Sequence, residues 1–186
     1  CAQRDPHRLL GRYGERLGFM YLTQHRHAKP HPHWNSEAGS SLCRPGSNVR
    51  GPIRELGRFY EAILARRSGR SISGNVLPGA ETVLTMTTRQ TLGLYDQTMR
   101  HPVDWGLGFY LCARHSGTEP SPYGYGPHAS VDTFGHSGAQ SSCAFADPPR
   151  ELVVAWLCNG LPGEPRHQQR AWRINTGIYE DLGFAG

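Results

Sequence analysis

Apolar residues recur at helical spacing in "GPIRELGRFYEAILARRSG", where Ile53, Leu56, Phe59, Tyr60, Ile63 and Leu64 fall on one stripe of a 3.6-residue period. Pro52 suits a first turn and Gly69 can end the helix, so the pattern predicts a helix over about 52–67. The opposite face carries Arg54, Glu55, Arg58 and Glu61, a solvated surface with i,i+4 neighbours. A second, short helix is predicted to start near Ala80 in "AETVLTMTTRQ". The pattern then changes. "VDWGLGFYLCA", residues 103–113, is rich in aromatic and β-favouring residues and reads as one strand whose glycines allow close approach. "SSCAFAD" and "ELVVAWLC", separated by Pro148, Pro149 and Arg150, read as an antiparallel hairpin buried on much of both faces. A last helix is predicted over about 164–182, with Ala171, Ile174, Ile178 and Leu182 as its apolar stripe and Gly183 as its stop. Residues 1–51 are broken by prolines and glycines and read as mostly irregular connection.

This order predicts an α+β fold, an antiparallel sheet covered on one face by a C-terminal helix. It also predicts a single partial domain over 1–186, with 1–100 mostly helical and irregular and 101–186 holding the sheet. Composition narrows the reading further. A chain of 186 residues with 37% hydrophobic residues can bury one substantial core. No apolar run approaches the roughly 20 residues of a bilayer helix, so no membrane span is expected. The net charge is +5, yet Lys29 is the one lysine and the arginines are scattered, which gives no basic stripe for a nucleic acid. Five cysteines without Cys-x-x-Cys spacing predict buried free thiols and favour a reducing, cytoplasmic compartment, with the location itself left unassigned.

The segment "TFGHSGAQSSCAFAD" raises a chemical question, because a strand has no need of glycines around a histidine and a serine. Glycine permits close approach to the backbone, and an approached backbone can hydrogen-bond a ligand. His-Ser-Gly on such a strand, preceded by "GPIRELGRFYEAIL", "VLPGAETVLTMTTRQ" and "WGLGFYL" and followed by "ELVVAWLCNG", resembles the serine beta-lactamase-like and penicillin-binding-protein hydrolases. The likeness is to the branch with class C beta-lactamases, D-alanyl-D-alanine peptidases and related esterases. In that family a Lys-Thr-Gly or His-Ser-Gly triplet opens an innermost strand beside the nucleophile, followed by two more strands and a C-terminal helix. The resemblance covers residues 50–160 in order and implies the C-terminal part of that fold. It implies that His136, Ser137 and Gly138 bind substrate and that the Ala139 N–H is one arm of an oxyanion hole. Tyr123 and Tyr125, in the turn feeding the strand, become candidates to line the cleft. A second His-Ser-Gly, at His115, Ser116 and Gly117, is followed by "TEPSP" and reads as a loop.

The family also needs a Ser-x-x-Lys and a Tyr-x-Asn. Neither is in this chain: the residue three before Lys29 is Arg26, and none of the eight tyrosines is followed by x-Asn. No catalytic residue is therefore assigned, and this chain alone is expected to be inactive. Cys1 is read as a cut end, with the missing N-terminal portion of the same fold as a partner. The substrate expected of the parent is a small ester, amide or beta-lactam opened through an acyl-enzyme, with no cofactor. Two alternatives stand beside this. One is a non-catalytic binding or scaffold protein that keeps the fold. The other is a zinc module on His25, His27, His31 and His33, which Pro30 and Pro32 argue against, so that no metal site is assigned.

Overall fold

A computed structural model describes residues 36–42, 51–70, 77–97, 99, 101–112, 124–138, 140–160 and 162–185. Helix α1 (Glu37–Ser41) is capped by Ser36, whose hydroxyl accepts from the Gly39 N–H at 3.0 Å. Helix α2 (Ile53–Arg67) follows Pro52 at φ −62°, as the pattern predicts, and ends before Gly69 at φ +75°. It buries Tyr60, Ile63 and Leu64, while Leu56 and Phe59 of the expected stripe stay exposed. Helix α3 (Ala80–Met86) packs beside it. Arg67 joins the two by donating to the Thr87 carbonyl at 2.9 Å and hydroxyl at 2.7 Å.

The strands are β1 (Tyr95–Asp96), β2 (His101–Pro102), β3 (Tyr110–Leu111), β4 (Phe134–Ser137), β5 (Ser142–Asp147) and β6 (Leu152–Leu157). β1 and β2 form a small antiparallel pair, and β3-β4-β5-β6 form the main antiparallel sheet in chain order. The single strand predicted over 103–113 is thus broken in two. Trp105 bridges back to Tyr110, and the chain reverses between them. Gly106 lies so close to the end of α3 that a Cβ there would stand 2.3 Å from the Met86 carbonyl oxygen, and Gly108 takes φ +84°. The glycines serve the reversal, so strand composition alone misleads here.

Alternation along the hairpin divides the core. Ala144 and Ala146 of β5 and Val153 and Ala155 of β6 face Tyr60, Ile63 and Leu64 of α2, with Phe109, Leu111 and Phe134. Cys143, Phe145, Val154 and Trp156 face the other way, against helix α4 (Glu164–Asp181), Tyr110 and Tyr125. The sheet is therefore covered on both faces: the terminal helix protects one, as expected, and α2 closes the second.

The register of α4 differs from expectation. The side turned to the sheet carries His167, Ala171, Asn175 and Tyr179, one every four residues, with Ile178 partly buried beside them. Leu182, the last residue of the predicted stripe, is 52% exposed. Polar partners in the sheet explain the shift: the Trp156 indole donates to Asn175 Oδ1 at 2.9 Å, and the Tyr179 hydroxyl donates to Asp147 Oδ2 at 2.7 Å. Two polar side chains gain burial that hydrophobic periodicity assigns to isoleucine and leucine. No described helix is long and apolar enough to cross a membrane.

Candidate functional site

β4 carries His136 and Ser137 to its C-terminal end, with Gly138 just beyond. Its register with β5 runs through Phe134–Ala146, Gly135–Phe145, His136–Ala144 and Ser137–Cys143, whereas β3 pairs only with Phe134 and Gly135. Beyond Gly135 the strand therefore has a β-partner on one side among the described residues. Gly135 is required by packing: a Cβ there would lie 2.3 Å from the Ala144 carbonyl oxygen and 2.5 Å from Phe145 Cβ. At Gly138 a Cβ would crowd the rotatable Ser142 hydroxyl, and the Gly138 N–H closes the turn by donating to the Ser142 carbonyl at 2.9 Å.

His136 is exposed and Ser137 half-buried. The His136 ring lies 4.6 Å from the Tyr110 ring and 6.0 Å from that of Trp105, and those two stack at 4.1 Å. Trp105 is itself fixed by donating its indole N–H to Asp96 Oδ2 at 3.0 Å. His136 Nδ1 sits 2.7 Å from the Ser137 carbonyl oxygen. The Ser137 side chain hydrogen-bonds the Cys143 thiol across the strand pair. Burial pushes that thiol up to about 12, although the bonds from Ser137 and Asn175 pull the other way. Cys143 is thus a packed neutral thiol and no nucleophile at neutral pH. Cys112 is likewise buried, and Cys158 is partly exposed.

The turn after the shelf is held by α4 and the segment before it. Gln140 is buried and takes φ +59°, a left-handed conformation that costs a non-glycine residue about 1 kcal/mol. Its amide oxygen accepts from the Gly163 N–H at 2.8 Å, and its carbonyl accepts from Arg170 at 2.8 Å. Arg170 also reaches His167 Nδ1 at 3.3 Å. Gln140, His167, Arg170, Trp105 and Tyr110 were not among the residues the sequence singles out. A left-handed glutamine has no compositional mark.

The structure thus brings His136, Ser137 and Gly138 together at one strand end. Ala139 and Tyr123 lie outside the described residues, as do the second His-Ser-Gly and the His25–His33 tract. Tyr125 does not line a cleft: it is 1% exposed in the core beside Phe145, and its hydroxyl donates to the Tyr110 carbonyl at 3.2 Å. Among the described residues no cluster of three or more His, Cys, Asp or Glu could hold a metal.

The antiparallel sheet between two helices is that of a serine beta-lactamase-like fold. The Beta-lactamase family matches residues 11–177, and the chain belongs to that family. A beta-lactamase from Mycobacterium bovis matches over 70% of this chain and 44% of its own, at 22% identity and a TM-score of 0.52, which shows a shared fold. The chain therefore spans less than half the length of that structure. EstA from Arthrobacter nitroguajacolicus Rue61a matches over 67% of this chain and 32% of its own, at 22% identity and a TM-score of 0.39. No curated protein matches this sequence.

Proposed function

We propose that this chain is the C-terminal part, one partial domain, of a serine hydrolase that opens an ester, amide or beta-lactam through an acyl-enzyme. The observation that carries the reading is the open end of β4, where His136 and Ser137 stand past the last β3 pairing with a glycine on either side. In this reading the substrate acyl group lies along that edge, with His136, Ser137 and Gly138 orienting it and the Ala139 N–H facing the carbonyl oxygen. A serine of a Ser-x-x-Lys outside this chain attacks the carbonyl carbon. The C=O electrons move to oxygen and return as the leaving group departs with a proton, and water then cleaves the ester so formed. Preorganised donors at such an oxyanion contribute on the order of 3 kcal/mol each. A histidine in place of the lysine of Lys-Thr-Gly supplies no fixed positive charge for a substrate carboxylate, which favours an ester or peptide substrate over a beta-lactam.

Oriented donors without a nucleophile do not turn over substrate. This chain should hydrolyse p-nitrophenyl acetate or nitrocefin no faster than its His136→Ala, Ser137→Ala variant. In the longer protein, Ser137→Ala should lower turnover roughly ten- to a hundredfold, about 1.4 to 2.7 kcal/mol. Ser116→Ala should change almost nothing. Equal damage from both substitutions, or a covalent label on a serine of the short chain, would sink the assignment. The second reading is a non-catalytic scaffold that keeps the fold, which holds if the whole protein carries neither Ser-x-x-Lys nor Tyr-x-Asn. A reading frame upstream that encodes both motifs decides for the enzyme, and a start codon immediately before Cys1 decides for the scaffold.

A further inference from the structure

The contact between His136 and the Ser137 carbonyl has a chemical consequence. A carbonyl oxygen can only accept, so Nδ1 at 2.7 Å must carry the proton of that hydrogen bond. A neutral imidazole protonated at Nδ1 has a bare lone pair at Nε2. We propose that His136 is a tautomer-locked acceptor on the shelf: its neutral ring selects substrates that offer an N–H or O–H to Nε2. This rests on the reading of β4 as a substrate shelf and assigns the chemistry of one position on it. It also reverses the role of a family lysine at this point, since an ammonium donates at every pH near neutrality and never accepts.

Tyr110 of β3 and Trp105 present aromatic rings to it at 4.6 and 6.0 Å. Ala144 of β5 stands opposite in the register and is apolar. From α2, the Tyr60 hydroxyl meets the His136 backbone, and burial holds that phenol well above its ordinary range and hence neutral. None of these described neighbours donates a hydrogen bond to Nε2; the ring's bond is the one at Nδ1.

The same fold holds an internal reference of the opposite kind. At His167, an arginine that can only donate approaches Nδ1 at 3.3 Å, so the proton of that neutral ring belongs on Nε2. Two-bond proton–nitrogen correlation spectra of the chain labelled with ¹⁵N-histidine distinguish the two tautomers directly. His136→Asn and His167→Gln identify each ring by the loss of its signals. At about pH 8, His136 should show a protonated Nδ1 and bare Nε2, and His167 the reverse. N-methylacetamide, which offers an N–H, should then move the His136 Nε2 signal saturably, and acetone, which offers none, should not. A His136 ring protonated at Nε2, or averaging both forms, overturns the inference while leaving the shelf reading standing. If the tautomer holds but N-methylacetamide moves no β4 signal, the shelf reading fails and the selectivity falls with it. Equal response to both probes also overturns the selectivity.

Discussion

Acid should weaken this protein measurably through one histidine. His167 is 1% exposed, its ring stands edge-on to Trp156 at 5.9 Å, and Arg170 donates toward its Nδ1 at 3.3 Å. A proton added there would place a second cation beside the guanidinium, away from water. Burial first, and the Arg170 charge second, lower its pKa from 6.5 to about 4, although the Ser142 carbonyl works in the opposite direction. Above pH 6.5 the ring is neutral in both folded and unfolded chains, and the native state holds its full stability. As the pH falls from 6.5 toward 4, the unfolded chain takes up a proton that the native chain refuses, so stability is lost across that window and no further below it. At about 1.4 kcal/mol per pH unit, that gap amounts to about 3 kcal/mol, a large share of the roughly 5–15 kcal/mol that holds a domain together. Urea denaturation of the native sequence and of His167→Gln at pH 7.5 and 4 isolates the effect. The glutamine variant starts less stable, because it loses ring packing against Trp156, but should lose about 3 kcal/mol less than the native chain between the two pH values. Carboxylates titrate in both proteins and cancel in the difference. Equal acid losses would refute the reasoning.

Three further outcomes follow from the packing. Gly135→Ala should destabilise the chain by about 1–3 kcal/mol or prevent folding, since the new methyl would overlap the Ala144 carbonyl and Phe145 of β5; an unchanged melting temperature would contradict the β4–β5 spacing. Asp147→Asn should cost about 3 kcal/mol in urea melts, because the buried carboxylate accepts from Tyr179, the Ser130 N–H and Arg150 at once and the amide removes the negative charge facing Arg150, which among the described residues keeps only its bond to the Ser130 hydroxyl and its ring contacts. Tyr179→Phe should cost about 1 kcal/mol or more through the same carboxylate, whereas Leu182→Ala should stay within about 0.5 kcal/mol; the reverse order would restore the helix face that periodicity predicts.

Much of this was legible in the sequence wherever hydrophobic periodicity and burial agree. The α2 span, the start of α3, the β5–β6 hairpin and the span of α4 follow from 3.6- and 2-residue periods bounded by proline and glycine. The His-Ser-Gly strand was legible only by resemblance, because three residues cannot announce a strand edge. What escaped was polar. The sheet-facing side of α4 was misassigned because Asn175 and Tyr179 count as surface residues until Trp156 and Asp147 are placed opposite them. Tyr125 was misassigned because a Gly-Tyr-Gly turn reads as open, whereas its backbone turns the ring into the core. The break at Gly106 was hidden because the Met86 carbonyl it accommodates belongs to another element.

Those polar contacts give α4 a second task beyond covering the sheet. Gln140 holds a left-handed backbone one residue past the Ala139 of the proposed oxyanion hole, and a strained conformation persists only where its surroundings over-determine it. Here the determinants are the Gly163 N–H on the glutamine side chain and the Arg170 guanidinium on its carbonyl. Arg170 is in turn seated against neutral His167. Protonation of His167 would repel the guanidinium that holds the turn, so acid should loosen the Gln140 backbone before it unfolds the sheet. Local opening of that kind has a distinct signature in amide exchange. Protection at Gly138, whose N–H is bonded to Ser142 within the same turn, should fall on acidification before protection at Phe145 and Val154 in the paired centre of the sheet, after correction for the intrinsic rates at each pH. If the turn and the sheet lose protection together, α4 acts as a cover alone and the shelf owes nothing to Arg170.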